Sequence, residues 1–574
     1  MSQKKIKKLK KIVSPIVEEL IVLPNFKVFL KKFGWMLVVI LLGVTAVFAN
    51  GIKGDFVSDD YATVPQNPKV TDFGASVLTP GNPFNSMNMA NFVVANIFGV
   101  ASPIPYHVLS LVTYLLSIFL ACWFIYLITG NERLTLLSIL IFAFLPIHVE
   151  AVSWNAGKIY LIISNYVLMA LIAFIYFLHT NKNKYGVIML VTFFLAFLTD
   201  RPRPFAVFLI VPGLLGLYPK DLVIRFLKKS LKWIVPSAIV FLIIAFPYVE
   251  SRVNIVNSGI NESGSIFYSP FFQYPISVAK YLQLMMVPTD LTLYHTMFPL
   301  PGWLNWMILL LYIILVINFW FKNKVWFFSL FFIFAATLPS MAPVKVSWLI
   351  AERYAYLGTL GFAMFLGLIF MKLSQKLKLI PAVLLISLIS VYIVRIYLRN
   401  NDWSTNHLLW VNTCQVSPNS HNAWNNIGDD YDKLKDYANS VKGFTQSTIV
   451  KPNYADAYHN RANIFFKLGK LDLARESYDM AIHFNSGLFQ TYLSLVQIDL
   501  NEKKYDLALQ HINKSIEFEP NNPQNLYILA VVYAQTGKIE EAKNVLKTIL
   551  SKFPNYALAK SALLELDGVR VGSS

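Results

Sequence analysis

The strongest constraint on this chain is a series of long apolar runs separated by short, basic connections. Crossing a bilayer takes about 17 to 25 mostly apolar residues in a helix. Runs of that kind fall approximately at 34–50, 106–128, 134–150, 159–179, 185–200, 203–218, 233–249, 303–321, 325–342, 350–371 and 379–397, which makes eleven crossings. Of the 574 residues 56% are hydrophobic and only 14% are charged, against about 25% charged in soluble domains. A water-soluble globule of this size is therefore excluded, and lipid must cover much of the apolar surface.

The net charge of +18 is unevenly placed. From His421 onward, 17 basic residues meet 17 acidic ones, so the excess of 33 basic over 15 acidic lies in the first 420 residues. A nucleic-acid binder would cluster such charge with exposed polar readers. Here it punctuates apolar runs, as in cytoplasmic loops of membrane proteins. With the Lys-rich start inside, 22 Lys and Arg face the cytoplasm against 11 outside, and 4 acidic residues against 11. An odd number of crossings then places the C-terminal segment on the exoplasmic side, whether extracellular, periplasmic or luminal. Residues 1–32 read as a cytoplasmic basic, amphipathic segment that is retained rather than cleaved, 33–398 as the membrane domain, and 51–105 and 250–302 as long external loops. Cys122 and Cys414 are too few for a disulfide framework or a thiolate zinc site.

After a linker at 399–420 the chain repeats. Pro418, Pro452, Pro520 and Pro554 lie in one 34-residue register, with Ser486 at the skipped position. That period is the tetratricopeptide signature. Four units are expected over 421–556, with 557–574 as a capping helix and tail. Stacked helix pairs leave a concave groove, so the segment is expected to hold an acceptor protein or peptide rather than nucleic acid.

Charged residues of separate segments are expected on one membrane face. Asp59 and Asp60 follow the first crossing. His148 and Glu150 end the third, with Lys158 just beyond. Asp200, Arg201 and Arg203 form a Pro-rich corner, Lys280 lies in the second long loop, and Glu352 and Arg353 open the tenth crossing. Charges beside apolar turns need a reason, and together these residues point to a charged pocket. Two adjacent carboxylates are compatible with a divalent metal, but no further ligands stand out, and no metal is assigned.

The order of these features resembles a known family. The first-loop Asp59-Asp60, the corner Pro146-Ile147-His148-Val149-Glu150-Ala151-Val152-Ser153-Trp154, the stretch from Tyr281 to Pro288, the corner Glu352-Arg353-Tyr354-Ala355-Tyr356-Leu357 and the closing Arg399, Asn400 and Trp403 are similar to the transmembrane-and-tetratricopeptide O-mannosyltransferases. That resemblance implies an all-α, polytopic membrane domain of GT-C type with about eleven transmembrane helices, followed by an exoplasmic tetratricopeptide α-solenoid. It also implies a function: transfer of a sugar, mannose by the family's habit, from a polyprenyl-phosphate carrier to Ser or Thr hydroxyls. Asp59 and Asp60 match the family's acidic motif, which carries the catalytic base. Lys158, Arg201, Arg203, Lys280 and Arg353 are the cations available for the donor phosphate, with Glu150 and His148 beside them. Membrane lipid, the lipid-linked donor and an acceptor protein are the partners implied, and no other cofactor is.

The chain departs from the family at three places. Pro83 to Met87 lacks an expected Arg, Leu145 replaces a His, and Asp200-Arg201-Pro202 stands where a Lys-Glu pair is expected. A catalytically degenerate membrane-anchored scaffold, whose repeats assemble other proteins, is the alternative reading. A flippase would carry charges at mid-bilayer and an inverted repeat, and the sequence shows neither.

Overall fold

The computed structural model describes residues 23–79, 84–200, 203–228, 270–341, 349–377 and 379–567. Among them the regular structure is helical throughout, in two compact units, Met1–Val416 and Ser417–Ser574.

The first unit shows an inside-out pattern from its first helix, Phe26–Phe48. Asn25 caps it by accepting a hydrogen bond from the Lys27 N–H at 2.8 Å. Phe29, Phe33, Leu37, Ile40, Val44 and Phe48 recur every three or four residues and are buried. Trp35, Val38, Val39 and Leu42, on the remaining surface, are exposed. Apolar side chains left uncovered at about 25 cal/mol per Å² are stable only against lipid.

Among the described residues, six helices are long and apolar enough to cross a membrane: Phe26–Phe48, Ile104–Thr129, Lys158–Thr180, Gly302–Lys322, Lys324–Met341 and Ile380–Asp402. The pair Glu132–Ala143 and Pro146–Ser153, bent by 54° at Phe144 and Leu145, makes a seventh when taken as one broken span. Among the described residues these account for seven of the eleven expected crossings. Asn183–Thr199, Arg203–Leu215 and Thr359–Leu373 coincide with expected crossings but are 10 to 17 residues long. At 1.5 Å per residue they fall short of the roughly 30 Å hydrocarbon core. The run at 350–371 loses its first turns because Glu352–Ala355 is a separate 3₁₀ turn. The expected crossing at 233–249 lies outside the described residues, as do residues 1–22 of the N-terminal segment and 250–269 of the second long loop.

The first external loop and the stretch read as a linker both contain helices. In the first external loop, Asn85 caps Ser86–Phe98 by accepting from the Met87 and Asn88 N–H groups. The supposed linker begins inside the helix Ile380–Asp402, and Asn406–Val416 is a further helix with Leu409, Trp410, Thr413 and Cys414 buried. The boundary between units falls at Ser417 instead.

In the second unit helices begin at His421, Ala455, Phe489, Pro523 and Ala557, at a constant interval of 34. Each of the first four pairs with a following helix, at Tyr437–Val450, Leu471–Phe484, Tyr505–Phe518 and Ile539–Lys552. Ala462, Ala474, Tyr478, Leu495 and Ile498 form one buried cluster linking the second and third repeats. Ala530, Ala542, Leu546, Ile549 and Ala559 close the C-terminal end. Small alanines at the helix crossings let backbones approach while the larger side chains fill the remaining space.

Candidate functional site

The acidic pair lies in a short helical turn, Asp60–Thr63, that begins at Asp59. The strand of chain before it is pinned to the corner after the last membrane helix: Asp55 N–H donates to the Ser404 carbonyl and Ser58 N–H to Asn406 Oδ1, both at 2.8 Å. Asp60 is fully buried. Its Oδ1 accepts from the Ala156 N–H at 2.7 Å, and its Oδ2 accepts from the Val57 N–H at 3.3 Å. Burial pushes its carboxyl up to about 7, against the lowering effect of those amides and of Lys158. Asp59 is exposed, and its carboxylate takes no hydrogen bond or ion pair among the described residues. Lys158, fully buried at the start of its helix, donates to Asn155 Oδ1 at 2.8 Å. The Asp60–Lys158 group is thus assembled from the first loop and the 146–158 corner.

A second group is built on Glu150. This buried carboxylate accepts from the Arg353 backbone N–H at 2.7 Å and pairs with the Arg353 guanidinium. Arg353 Nε donates to the Tyr160 hydroxyl at 3.3 Å, and Arg203 Nη2 donates to the same oxygen at 2.8 Å. Arg203 is also paired with Asp200. The two guanidiniums lie over shared rings: Arg203 is 4.2 Å from the Tyr160 centroid and 5.1 Å from that of Tyr354, and Arg353 is 5.0 Å from Tyr354 and 5.2 Å from Trp154. Arg203 Nε is buried without a hydrogen-bond partner.

The third group surrounds Glu352. Its Oε1 accepts from the Thr292 N–H and from Arg399 Nη2, the latter at 3.1 Å, with His295 Nε2 3.6 Å away. Burial depresses the His295 imidazole to about 3, so it is neutral at ordinary pH. Lys280, 6% exposed, has Asp290 Oδ2 at 3.9 Å. Arg399 also reaches Asn412 Oδ1 at 3.0 Å.

The structure therefore brings Asp60 to Lys158, Glu150 to Arg353 and Arg203, and Lys280 to the Glu352 group. It does not bring His148 into these contacts: Tyr114 Oη and Thr359 Oγ1 engage its two ring nitrogens at 2.9 and 2.7 Å, among Tyr356 and Phe142. Arg201 lies outside the described residues. Tyr160, Asn155, His295 and Arg399 were not expected as site residues. Tyr160 sits two positions after Lys158 in an apolar helix, so composition alone hid it. His295 lies in a loop with no periodicity to read.

Fold and charged groups together define a polytopic helical membrane protein with a C-terminal tetratricopeptide solenoid. The tetratricopeptide repeat family matches residues 455–487 and 500–566. Human protein O-mannosyl-transferase TMTC3 is 27% identical over 218 residues, covering 37% of this chain and 22% of that protein. A Caenorhabditis elegans protein O-mannosyl-transferase is 23% identical over 452 residues, covering 71% and 62%. The chain thus spans about a fifth of the length of TMTC3 from human and mouse. Among solved structures, MamA is similar at 18% identity and a TM-score of 0.25, over 28% of this chain and 92% of that one. The chain is thus similar to the transmembrane-and-tetratricopeptide O-mannosyltransferases.

Proposed function

We propose that the protein is a membrane glycosyltransferase that moves a sugar, mannose by the names of its relatives, from a polyprenyl-phosphate carrier to Ser or Thr hydroxyls of exoplasmic proteins. The observation that carries this reading is the contrast within the acidic pair: Asp60 is spent on two backbone amides, whereas Asp59 is exposed and without a partner among the described residues. In the proposed reaction the acceptor oxygen attacks the anomeric carbon, the bond from that carbon to the phosphate oxygen breaks, and Asp59 takes the hydroxyl proton. Asp60 holds the turn that aims Asp59.

The departing lipid phosphate needs charge-assisted donors. Arg203 and Arg353, oriented by Asp200, Glu150 and the Tyr160 hydroxyl, are the best-placed described cations, and Lys158 and Lys280 supply further positive potential. Arg201 retains its assignment from the sequence. Glu150 positions Arg353, and His148 braces the corner that carries Glu150. The tetratricopeptide groove recruits the acceptor, and the external loops and repeats share the exoplasmic side. The pairing of Arg203 and Arg353 with carboxylates also fits the scaffold reading, since neutralised cations need bind no donor.

The test is a transfer assay with purified protein in lipid nanodiscs, labelled mannose on a polyprenyl phosphate, and a Ser/Thr-containing acceptor protein. Labelled acceptor is expected. Absence of transfer across mannose, glucose and N-acetylglucosamine donors would replace this reading with the scaffold.

A further inference from the structure

The helix Lys158–Thr180 starts at the charged groups and, at 1.5 Å per residue, runs about 25 Å to Phe174 and Phe177. Phe226 packs edge-on against both of those rings, with centroids 5.4 and 5.7 Å apart. The helical residues 220–228 therefore lie at the end of the membrane unit away from Asp60 and Lys158. The turn leading into them approaches Trp320 so closely that a Cβ on Gly216 would fall 2.8 Å from its ring. Lys324 Nζ sits 3.2 Å from the centroid of that same ring, and Lys220 lies within electrostatic reach of Lys324. Lys372 Nζ stands 6.0 Å from the Trp326 ring. Among the described residues none of these three lysines has an ion pair, and neither has Asp221, the carboxylate next to Lys220 in sequence.

We propose that this lysine and tryptophan cluster binds the headgroup phosphate of an anionic phospholipid. Lys220 and Lys324 come from different segments and repel each other, so a bound anion stabilises an arrangement that is otherwise costly. Each ammonium carries three donors, and attraction to the ring face holds the head in place without consuming them all. Tryptophan rings at the membrane boundary sit at headgroup level. The surrounding surface fits the rest of a lipid: Ile224, Leu227, Phe321 and Leu373 are exposed beside the lysines in sequence, and acyl chains lie along such side chains while the phosphate meets the ammonium groups. A free phosphate would match the charge and leave that apolar surface uncovered. A zwitterionic headgroup brings its own cation, which the lysines repel, so the lipid selected carries net negative charge. The site is separate from the charged groups assigned to sugar transfer and does not depend on that reading.

The experiment is native mass spectrometry of the full chain in detergent, titrated with phosphatidylglycerol or with phosphatidylcholine of equal chain length. Wild type should hold one phosphatidylglycerol about tenfold more tightly than phosphatidylcholine, and less tightly as salt is raised. Lys220→Gln combined with Lys324→Gln should weaken phosphatidylglycerol binding about tenfold, whereas Lys220→Arg with Lys324→Arg, which keeps both charges, should retain it. Lys69→Gln with Lys560→Gln, at exposed positions elsewhere, should change nothing, and inorganic phosphate at equal concentration should not displace the lipid. A second measurement does not need the lysine variants to fold: brominated phosphatidylglycerol should quench the tryptophan fluorescence of wild type more than that of Trp320→Phe. Equal affinity of wild type for the two lipids, full retention of phosphatidylglycerol by the Gln variant, an equal loss in the Lys69 and Lys560 control, displacement by inorganic phosphate, or equal quenching with and without Trp320 would each overturn the proposal.

Discussion

Asp59 and Asp60 are consecutive in the chain and opposite in environment. Asp60 is fully buried with its carboxylate oxygens on the Val57 and Ala156 amides, while Asp59 is exposed at the start of the same helical turn. One residue fixes the loop, and the other presents a carboxylate at its surface.

Asp60 gives the first prediction. Its carboxyl is pushed up to about 7 by burial, and in the unfolded chain it returns to about 3.9. A raised carboxyl favours the folded state while protonated, so its contribution is complete below about pH 4 and is lost as pH rises through about 7. At roughly 1.4 kcal/mol per unit, wild type should lose up to about 4 kcal/mol from this group between pH 4 and 8. Asp60→Asn should remove that slope and Asp59→Asn should keep it. Unfolding followed by fluorescence in detergent across this range checks it; equal slopes in wild type and Asp60→Asn would contradict the account.

The Glu150–Arg353 pair is buried on both sides, so removing one partner strands the other. Glu150→Gln should cost about 3–5 kcal/mol. Replacing both with Leu and Met should recover part of that stability and still abolish donor use. Thermal melting of the two single variants and the double variant measures the coupling.

The turns between paired helices place Lys435, Gly469, Lys503 and Gly537 at equivalent positions with φ of 60°, 72°, 60° and 77°. This left-handed region costs a residue with a Cβ about 1–2 kcal/mol. Lys503→Gly should therefore raise the melting temperature of the repeats, with a gain below about 1 kcal/mol after glycine's extra chain entropy. Gly537→Ala should lower it. Circular dichroism melts report both, and a shift of the opposite sign in either would refute the turn argument.

Orientation is open to labelling with a membrane-impermeant maleimide, because both native cysteines are buried. Lys69→Cys and Glu541→Cys, at exposed positions, should react in intact cells or from the lumen of intact vesicles. Lys376→Cys should react only after permeabilisation. Labelling of Glu541→Cys from the cytoplasmic side alone would move the repeats to the other face.

Much of the fold was legible because its signals are periodic. The 34-residue register located the inner helices of the repeats, and the apolar runs coincide with helices wherever both are described. Periodicity could not set helix length, as Glu352 to Tyr356 shows: an apolar run begins in a 3₁₀ turn, and the helix starts only at Thr359. It was silent on Asn406–Val416, whose buried side chains alternate with polar ones inside a stretch rich in Asn and Ser. Site residue types were legible as charges beside apolar turns, but pairings were not. Glu150 meets Arg353 across 203 positions, and Arg399 meets Glu352 directly, with a loop carrying His295 and Thr292 against the same carboxylate. Those contacts depend on how helices pack, which no local pattern encodes.

The central claim is that Asp59 is the base of a sugar transfer, and the most direct measurement is single-turnover transfer of labelled mannose from polyprenyl phosphate by wild type, Asp59→Asn and Asp59→Glu. Asp59→Asn should melt with wild type and lose about two to four powers of ten in rate. Asp59→Glu, which keeps a basic oxygen, should recover part of that loss. Wild-type turnover by Asp59→Asn would contradict the account.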